Sequence, residues 1–335
     1  MAELKIEQLL RAMVDNKASD LHIRTGVPPI YRINGALTKI FETRVDPGMM
    51  DSFLDDIMNR DQKLRFEQNK ECDFAVGARD MGRFRVNVFR QRGTIAIVIR
   101  HIKAKIPAFE ELHLPEIIRD MALTRRGLVL VTGTTGSGKS TTLASMLDYI
   151  NQREAVNIIT VEDPIEYEIP GVAQAEVDSA DKVNFSKALK SLLRHDPDVV
   201  MIGEIRDSDS LDAAVKAALT GHLVLSTLHT NDAKSTVTRL VDMGLDPNLV
   251  PATLRLAVAQ RLVRRLCPEC RVKGARGWEP KGCVACGGRG YRGRIGLFEL
   301  YAPETGLSTS LADDARAKVE SGITSEAEIL RVIGV

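Results

Sequence analysis

One stretch limits the possible folds of this 335-residue chain more than any other: Gly133-Thr134-Thr135-Gly136-Ser137-Gly138-Lys139-Ser140, followed by Thr141. It fits G-x-x-x-x-G-K-[ST], a loop that cradles phosphates. The apolar run 127–132 precedes it and reads as a buried parallel strand. Leu143, Met146, Leu147 and Ile150 follow at helical spacing. Strand, glycine turn and helix are the context that gives the motif its meaning. The glycines let backbone N–H groups converge on an anion, and the helix N-terminus adds positive potential. Lys139 is the group for the β- and γ-phosphates, and the Ser140 hydroxyl is a ligand for Mg²⁺.

The remainder of the chain supports an α/β reading. From Leu114 onward, strand candidates 127–132, 156–161, 198–202 and 223–228 alternate with helix candidates 139–151, 183–194, 208–219, 231–243 and 249–265. Such alternation predicts a parallel sheet covered on both faces. Residues 1–102 read differently. An amphipathic helix over 4–15 is followed by an Asn34-Gly35 hairpin signal and a helix over 48–60. The stretch 82–90 then alternates Phe84, Val86 and Val88 against Arg83, Arg85 and Asn87, and a further strand spans 94–100. These residues predict a small α+β domain on an antiparallel sheet. Residues 103–115, with Pro107 and Pro115, read as a linker, and 116–335 as the second domain.

In open α/β sheets, ligands sit at the carboxyl ends of the strands. Glu162, Asp163 and Glu166 follow one strand candidate, and Glu162 is the candidate catalytic base. Glu204 ends the apolar run 198–202 and is the candidate metal-side carboxylate. Asp198 opens the same run and reads as structural. His229 follows 223–228 and falls on the nucleotide edge, with His222 on the far edge, although a structural role is open for either.

Acids and bases nearly cancel, 45 against 46, so no overall field argues for nucleic acid. No apolar run is long enough for a bilayer span, and the first residues lack the apolar core of a signal peptide. The expectation is a cytoplasmic protein with reduced thiols. Four of five cysteines form the pattern Cys267-x₂-Cys270-x₁₂-Cys283-x₂-Cys286 within the element 267–286, which suits a closed structural Zn²⁺ site. Unliganded thiols are the alternative. Cys72 reads as a small core residue just ahead of a strand.

Taken in order, four motifs resemble those of the secretion-superfamily traffic ATPases, the motors of type II secretion and type IV pili. They are the loop 133–140, an acidic box at 159–166, an atypical Walker B segment at 193–207 and a histidine box at 220–232. Ser19-Asp20-Leu21-His22 and 32–35 are similar to the start of that family's N-terminal domain. The resemblance implies a RecA-like P-loop NTPase domain preceded by a PAS-like domain. It also implies a homo-hexamer that hydrolyses ATP with Mg²⁺. Arg85 and Arg100, with Arg90 a further candidate, match N-terminal arginines that reach the nucleotide, though a plain polar sheet face is also open. The implied partner is an inner-membrane platform protein, with the motor peripheral to that membrane through its partners. The cysteine element and 286–299 look like assembly motors, whereas the short N-terminal region looks like retraction motors. A regulatory or scaffold subunit with little hydrolysis is the second reading.

Overall fold

A computed structural model describes residues 4–33, 36–102, 105–177, 188–274 and 277–334. The chain divides into two compact units, Met1–Lys105 and Ile106–Val335.

In the first unit, β1 (Asp20–Arg24), β2 (Ile30–Ile33), β3 (Ala36–Lys39), β4 (Glu71–Ala78), β5 (Gly82–Gln91) and β6 (Thr94–Ile102) form one sheet. Its order is β3-β2-β1-β6-β5-β4, and every pair is antiparallel. The helices are α1 (Ile6–Asp15), α2 (Pro47–Ile57) and α3 (Arg60–Asn69). Asp46 caps α2 by accepting from the Met49 N–H at 2.9 Å, and Pro47 supplies a preset first helical φ. Leu9 and Met13 of α1 pack with Leu21, Phe53, Phe84 and Ile99 in the core. Cys72 lies inside β4 rather than ahead of it and is buried there. The Asn34-Gly35 turn falls outside the described residues, although β2 and β3 flank it in antiparallel register.

The second unit holds an eight-stranded sheet. Its strands are β7 (Gly127–Thr132), β8 (Ile158–Glu162), β9 (Ala173–Glu176), β10 (Val199–Ile202), β11 (Leu223–Leu228) and β12 (Leu254–Leu266), then β15 (Tyr291–Ala302) and β16 (Leu307–Ser308). A separate hairpin, β13 (Arg271–Gly274) and β14 (Gly277–Pro280), lies between the cysteine pairs. The sheet order is β16-β15-β12-β7-β11-β10-β8-β9. From β12 to β9 the neighbours are parallel, while β15 and β16 add an antiparallel edge.

The pleat of β7 divides two cores. Val129 and Val131 pack with Leu143, Met146 and Leu147 of α4 (Lys139–Arg153) on one face. Leu128 and Leu130 pack with Leu211 and Ala214 on the other. These belong to a helix over Ser208–Leu219. The segment read as a linker contains a short helix, Phe109–Leu112, and buries Phe109 and Leu114 in the second unit's core. The helix expected over 183–194 lies partly outside the described residues, with 188–192 helical.

One expected helix is overturned. Residues 249–265 are not a helix: a single turn at Val250–Thr253 gives way to the strand β12. Its Leu, Ala, Gln and Arg residues favour helices locally. Hydrogen bonding to β7 on one side and β15 on the other, with nearly continuous burial from Leu254 to Gln260, outweighs that preference.

Candidate nucleotide and metal sites

The phosphate loop leaves β7 and turns into α4. Gly133 has φ 140°, and a Cβ there would lie 2.4 Å from the Gln260 carbonyl oxygen. At Gly138, with φ 95°, a Cβ would lie 2.8 Å from Gln260 Nε2. The loop therefore rests directly on β12, and only glycine fits at both positions. Gln260 also accepts a hydrogen bond from Thr142 Oγ1 at 2.8 Å, which fixes the first turn of α4. Arg261 donates to the carbonyls of Gln260 at 3.0 Å and Asn231 at 2.8 Å. That second contact ties β12 to the loop carrying His229.

Beside the loop opens a cleft of about 730 Å³. Thr135, Gly136, Gly138, Lys139, Ser140 and Thr141 line one wall. Lys139 Nζ donates to the loop carbonyls of Gly133 at 2.9 Å and Thr134 at 3.3 Å. Burial pulls its ammonium below the usual lysine range, while Glu204 and Glu166 act against that pull. Ser137 Oγ is buried under the loop without a hydrogen-bond partner among the described residues. A glycine-rich loop at a helix N-terminus, a partly buried ammonium and an unsatisfied hydroxyl suit a polyphosphate.

The facing wall carries the acids. Glu162 is the last residue of β8 and only 8% exposed. Its Oε1 accepts from Thr160 Oγ1 at 2.6 Å and from Gln174 Nε2 at 2.9 Å. Burial pushes its carboxyl above the ordinary range, against those two hydrogen bonds. Glu204, just past β10, lies 2.8 Å from Arg206 Nε and 3.2 Å from His229 Nε2. Arg206 also approaches Asp163 at 3.6 Å. Thr141 and Tyr167 share a hydrogen bond of 2.9 Å across the cleft.

His222 lies at the opposite end of β11, where its Nδ1 is 2.9 Å from the Ala217 carbonyl. Asp198 accepts from the Asn157 N–H at 2.7 Å at the start of β10. Gln260, Arg261, Leu262, Tyr167 and Gln174 were not singled out by sequence reasoning. The strand-end test would have marked Gln260 and Arg261, because Ala259 is the register partner of Thr132; reading β12 as a helix removed it from that test.

Arg85 and Arg100 belong to the first unit, where they are register partners on β5 and β6. Arg85 forms a forked pair with Asp73, its shortest contact 2.6 Å. Arg100 Nε donates to Asp20 at 2.9 Å. Arg90 stacks over Phe66, 5.7 Å from the ring centre.

Pairing of β12 with β15 brings the cysteine pairs together, since Leu266 opposes Tyr291. The four Sγ atoms lie within 4.8 Å of one another. Cys267–Cys283, Cys270–Cys286 and Cys283–Cys286 are each separated by 3.8 Å. A tetrahedron with Zn–S bonds of about 2.3 Å has edges of about 3.8 Å, so the four thiols fit a zinc ion. N–H groups of Cys283 and Gly290 point at Cys286 Sγ at 3.2 and 3.1 Å and support thiolate charge there.

The family described as Type II/IV secretion system protein matches residues 1–332. The type IV pilus ATPase PilU of Pseudomonas aeruginosa is 44% identical over 273 residues, 78% of this chain and 70% of that protein. The type II secretion system protein E of Klebsiella pneumoniae is 38% identical, spanning 98% of this chain and 75% of its own length. Among solved structures, the pilus retraction motor PilT with bound ADP superposes with a TM-score of 0.77 at 36% identity, covering 95% of this chain and 88% of that one. With a RecA-like P-loop core and a match over nearly its whole length, the chain belongs to the type II/IV secretion system protein family.

Proposed function

We propose that this chain is a Mg²⁺-dependent ATPase acting as a homo-hexameric motor of a type IV pilus or type II secretion machine. The observation that carries the reading is one cleft lined by Lys139, Ser140, Glu162, Glu204 and His229. The names of its relatives, a pilus ATPase and a type II secretion protein, supply the machine.

ATP with Mg²⁺ supplies the phosphoryl group passed to water and the charge the site must neutralise. Lys139 binds the β- and γ-phosphate oxygens, and the Ser140 hydroxyl serves as a metal ligand. Glu162 takes a proton from the attacking water, for which a carboxyl raised by burial is well matched. Glu204 orders the water shell of the metal, and His229 faces the γ-phosphate. Thr135 to Thr141 hold the polyphosphate, with Gly133 and Thr134 shaping the loop. Arg85 and Arg100 reach the nucleotide in the assembled ring, each exchanging its present carboxylate partner for phosphate.

Cys267, Cys270, Cys283 and Cys286 hold a structural Zn²⁺. Among the described residues no helix is long and apolar enough to cross a membrane. Attachment to the cytoplasmic side of the inner membrane through a platform protein suits this motor.

The test is ATPase rate against protein concentration, with mass measured with and without ATP and Mg²⁺. Activity that rises with a six-subunit species supports the motor. A fully active monomer removes the shared site. A hexamer that binds ATP without turnover favours a scaffold subunit.

A further inference from the structure

Glu162 does not stand alone at the end of β8. Thr160 precedes it by two residues and therefore projects on the same face of the strand. Gln174 on β9 is the register partner of Thr160. The Gln174 amide has three partners. Its Oε1 accepts from the Ile169 N–H at 2.8 Å, and its Nε2 donates to the Tyr167 carbonyl at 2.8 Å and to Glu162 Oε1 at 2.9 Å. A backbone N–H can only donate and a backbone carbonyl can only accept, so the amide has one allowed orientation. It must present N–H to Glu162. The Thr160 hydroxyl donates to the same oxygen at 2.6 Å, short as befits a charged acceptor.

We infer that Gln174 is a positioning residue for Glu162: together with Thr160 it fills Oε1 with donors, leaving Oε2 as the atom that takes the proton from water. A proton on Oε1 would face an N–H that cannot turn away. In the step, the water O–H bond breaks and its proton passes to Oε2. The water oxygen bonds to the γ-phosphorus, and the bond to the bridging oxygen breaks with its electron pair leaving on ADP. The inference rests on Glu162 being the base, as proposed above.

Both donors favour the charged carboxylate, opposing the upward push of burial, and the Glu166 backbone N–H acts in the same sense. The Glu166 carboxylate raises the Glu162 value, Asp163 follows on the same loop, and Glu176 is the register partner on β9. Lys139, Glu204, Arg206 and His229 share the cleft. None of these groups changes in the variants below.

The experiment compares Gln174→Ala, Thr160→Val and Thr160→Ser with the unaltered full chain and with Glu162→Gln. It records kcat against pH and the Kd for a non-hydrolysable ATP analogue. Expected are an inactive Glu162→Gln and a roughly tenfold or greater fall in kcat at neutral pH for Gln174→Ala. The analogue should bind within a few-fold of normal. The acid limb should move up by about one pH unit in Gln174→Ala and in Thr160→Val, which keeps the shape of threonine but not its donor. Thr160→Ser, which keeps the hydroxyl, should leave the limb in place. Acid limbs unmoved in both donor-deleting variants, with Glu162→Gln inactive, overturn the positioning role and spare the base. An active Glu162→Gln overturns the base itself, and this inference with it.

Discussion

The Nε2 atom of His229 lies 3.2 Å from one oxygen of Glu204, while Arg206 Nε holds the other at 2.8 Å. Glu204 is thus clamped by groups arriving from two sides, one beyond β10 and one beyond β11. Glu204→Gln keeps the size of the side chain but removes its charge, leaving the Arg206 guanidinium facing a neutral amide. We expect turnover to fall about 100-fold or more while nucleotide still binds. His229→Ala should cost less, on the order of tenfold, because Arg206 still fixes the carboxylate. Phosphate release and analogue titration on both variants check the order. Glu204→Gln with near-normal turnover would remove this carboxylate from the chemistry.

Lys139 offers a sharper contrast. Its ammonium is held by two loop carbonyls of its own turn, contacts that hold the loop's shape. Lys139→Ala deletes the proposed phosphate contact and leaves those carbonyls to water. Loss of both turnover and analogue binding is expected, with thermal stability changed by a few degrees at most. Retained tight binding would show that backbone N–H groups alone suffice.

Arg85 is 40% exposed and Arg100 67%, and Asp20 keeps Ser19 and Arg32 as partners when Arg100 is removed, so the two ion pairs contribute little to stability. Arg85→Ala and Arg100→Ala should therefore unfold at close to the normal temperature. If these arginines serve a neighbouring nucleotide, turnover should fall about 10²- to 10³-fold under conditions where the chain assembles. Analogue binding at low protein concentration should be unchanged. Equal activity at all concentrations would return both residues to the polar sheet face that the alternation of Arg85 with Phe84 and Val86, and its pairing with Arg100, already permit.

The parts legible in the sequence are those whose chemistry is local. The turn at 133–140 carries its whole logic in eight adjacent residues, and Glu162 and Glu204 announce themselves by ending apolar runs. The parts that were hidden depend on register between distant segments. Gln174 meets Glu162 only because β9 adds in parallel beside β8. Asp20 and Asp73 reach their arginines from strands 80 and 12 residues away along the chain. Gln260 and Arg261 support the phosphate loop from a segment whose Leu, Ala, Gln and Arg content suits a helix. Its strand form is imposed by two neighbours that sequence-local reasoning cannot see.

The cysteine tetrad makes a prediction about metal. Elemental analysis of the purified chain should find about one zinc per molecule, and Cys286→Ser should abolish it. Because Cys267 follows β12 directly, loss of the proposed zinc should free the far end of the strand that supports the phosphate loop. Chelation should lower the unfolding temperature and expose strands β13 and β14 to hydrogen exchange ahead of the central sheet. A metal-free chain with unchanged unfolding would make these four thiols passive core residues.

Glu328 sets an acid limit on stability. Its side chain is fully buried, and its carboxylate accepts from Arg264 at 2.7 Å and Arg331 at 2.6 Å. Burial alone would push the carboxyl up, but hydrogen bonds from Arg331 and Arg264 outweigh it and hold the value at about 2. A carboxylate depressed on folding contributes stability that is complete above its unfolded value of about 4.5 and lost as pH falls toward 2. The contribution at neutral pH is about 3 kcal/mol as an upper figure. Glu328→Gln should therefore lower the unfolding midpoint at pH 7, with the gap from the unaltered chain closing steadily between pH 4.5 and pH 3. Denaturant unfolding of both chains across that range gives the test. A gap independent of pH would assign the loss to packing of the C-terminal helix Glu326–Ile333 rather than to the charge on Glu328.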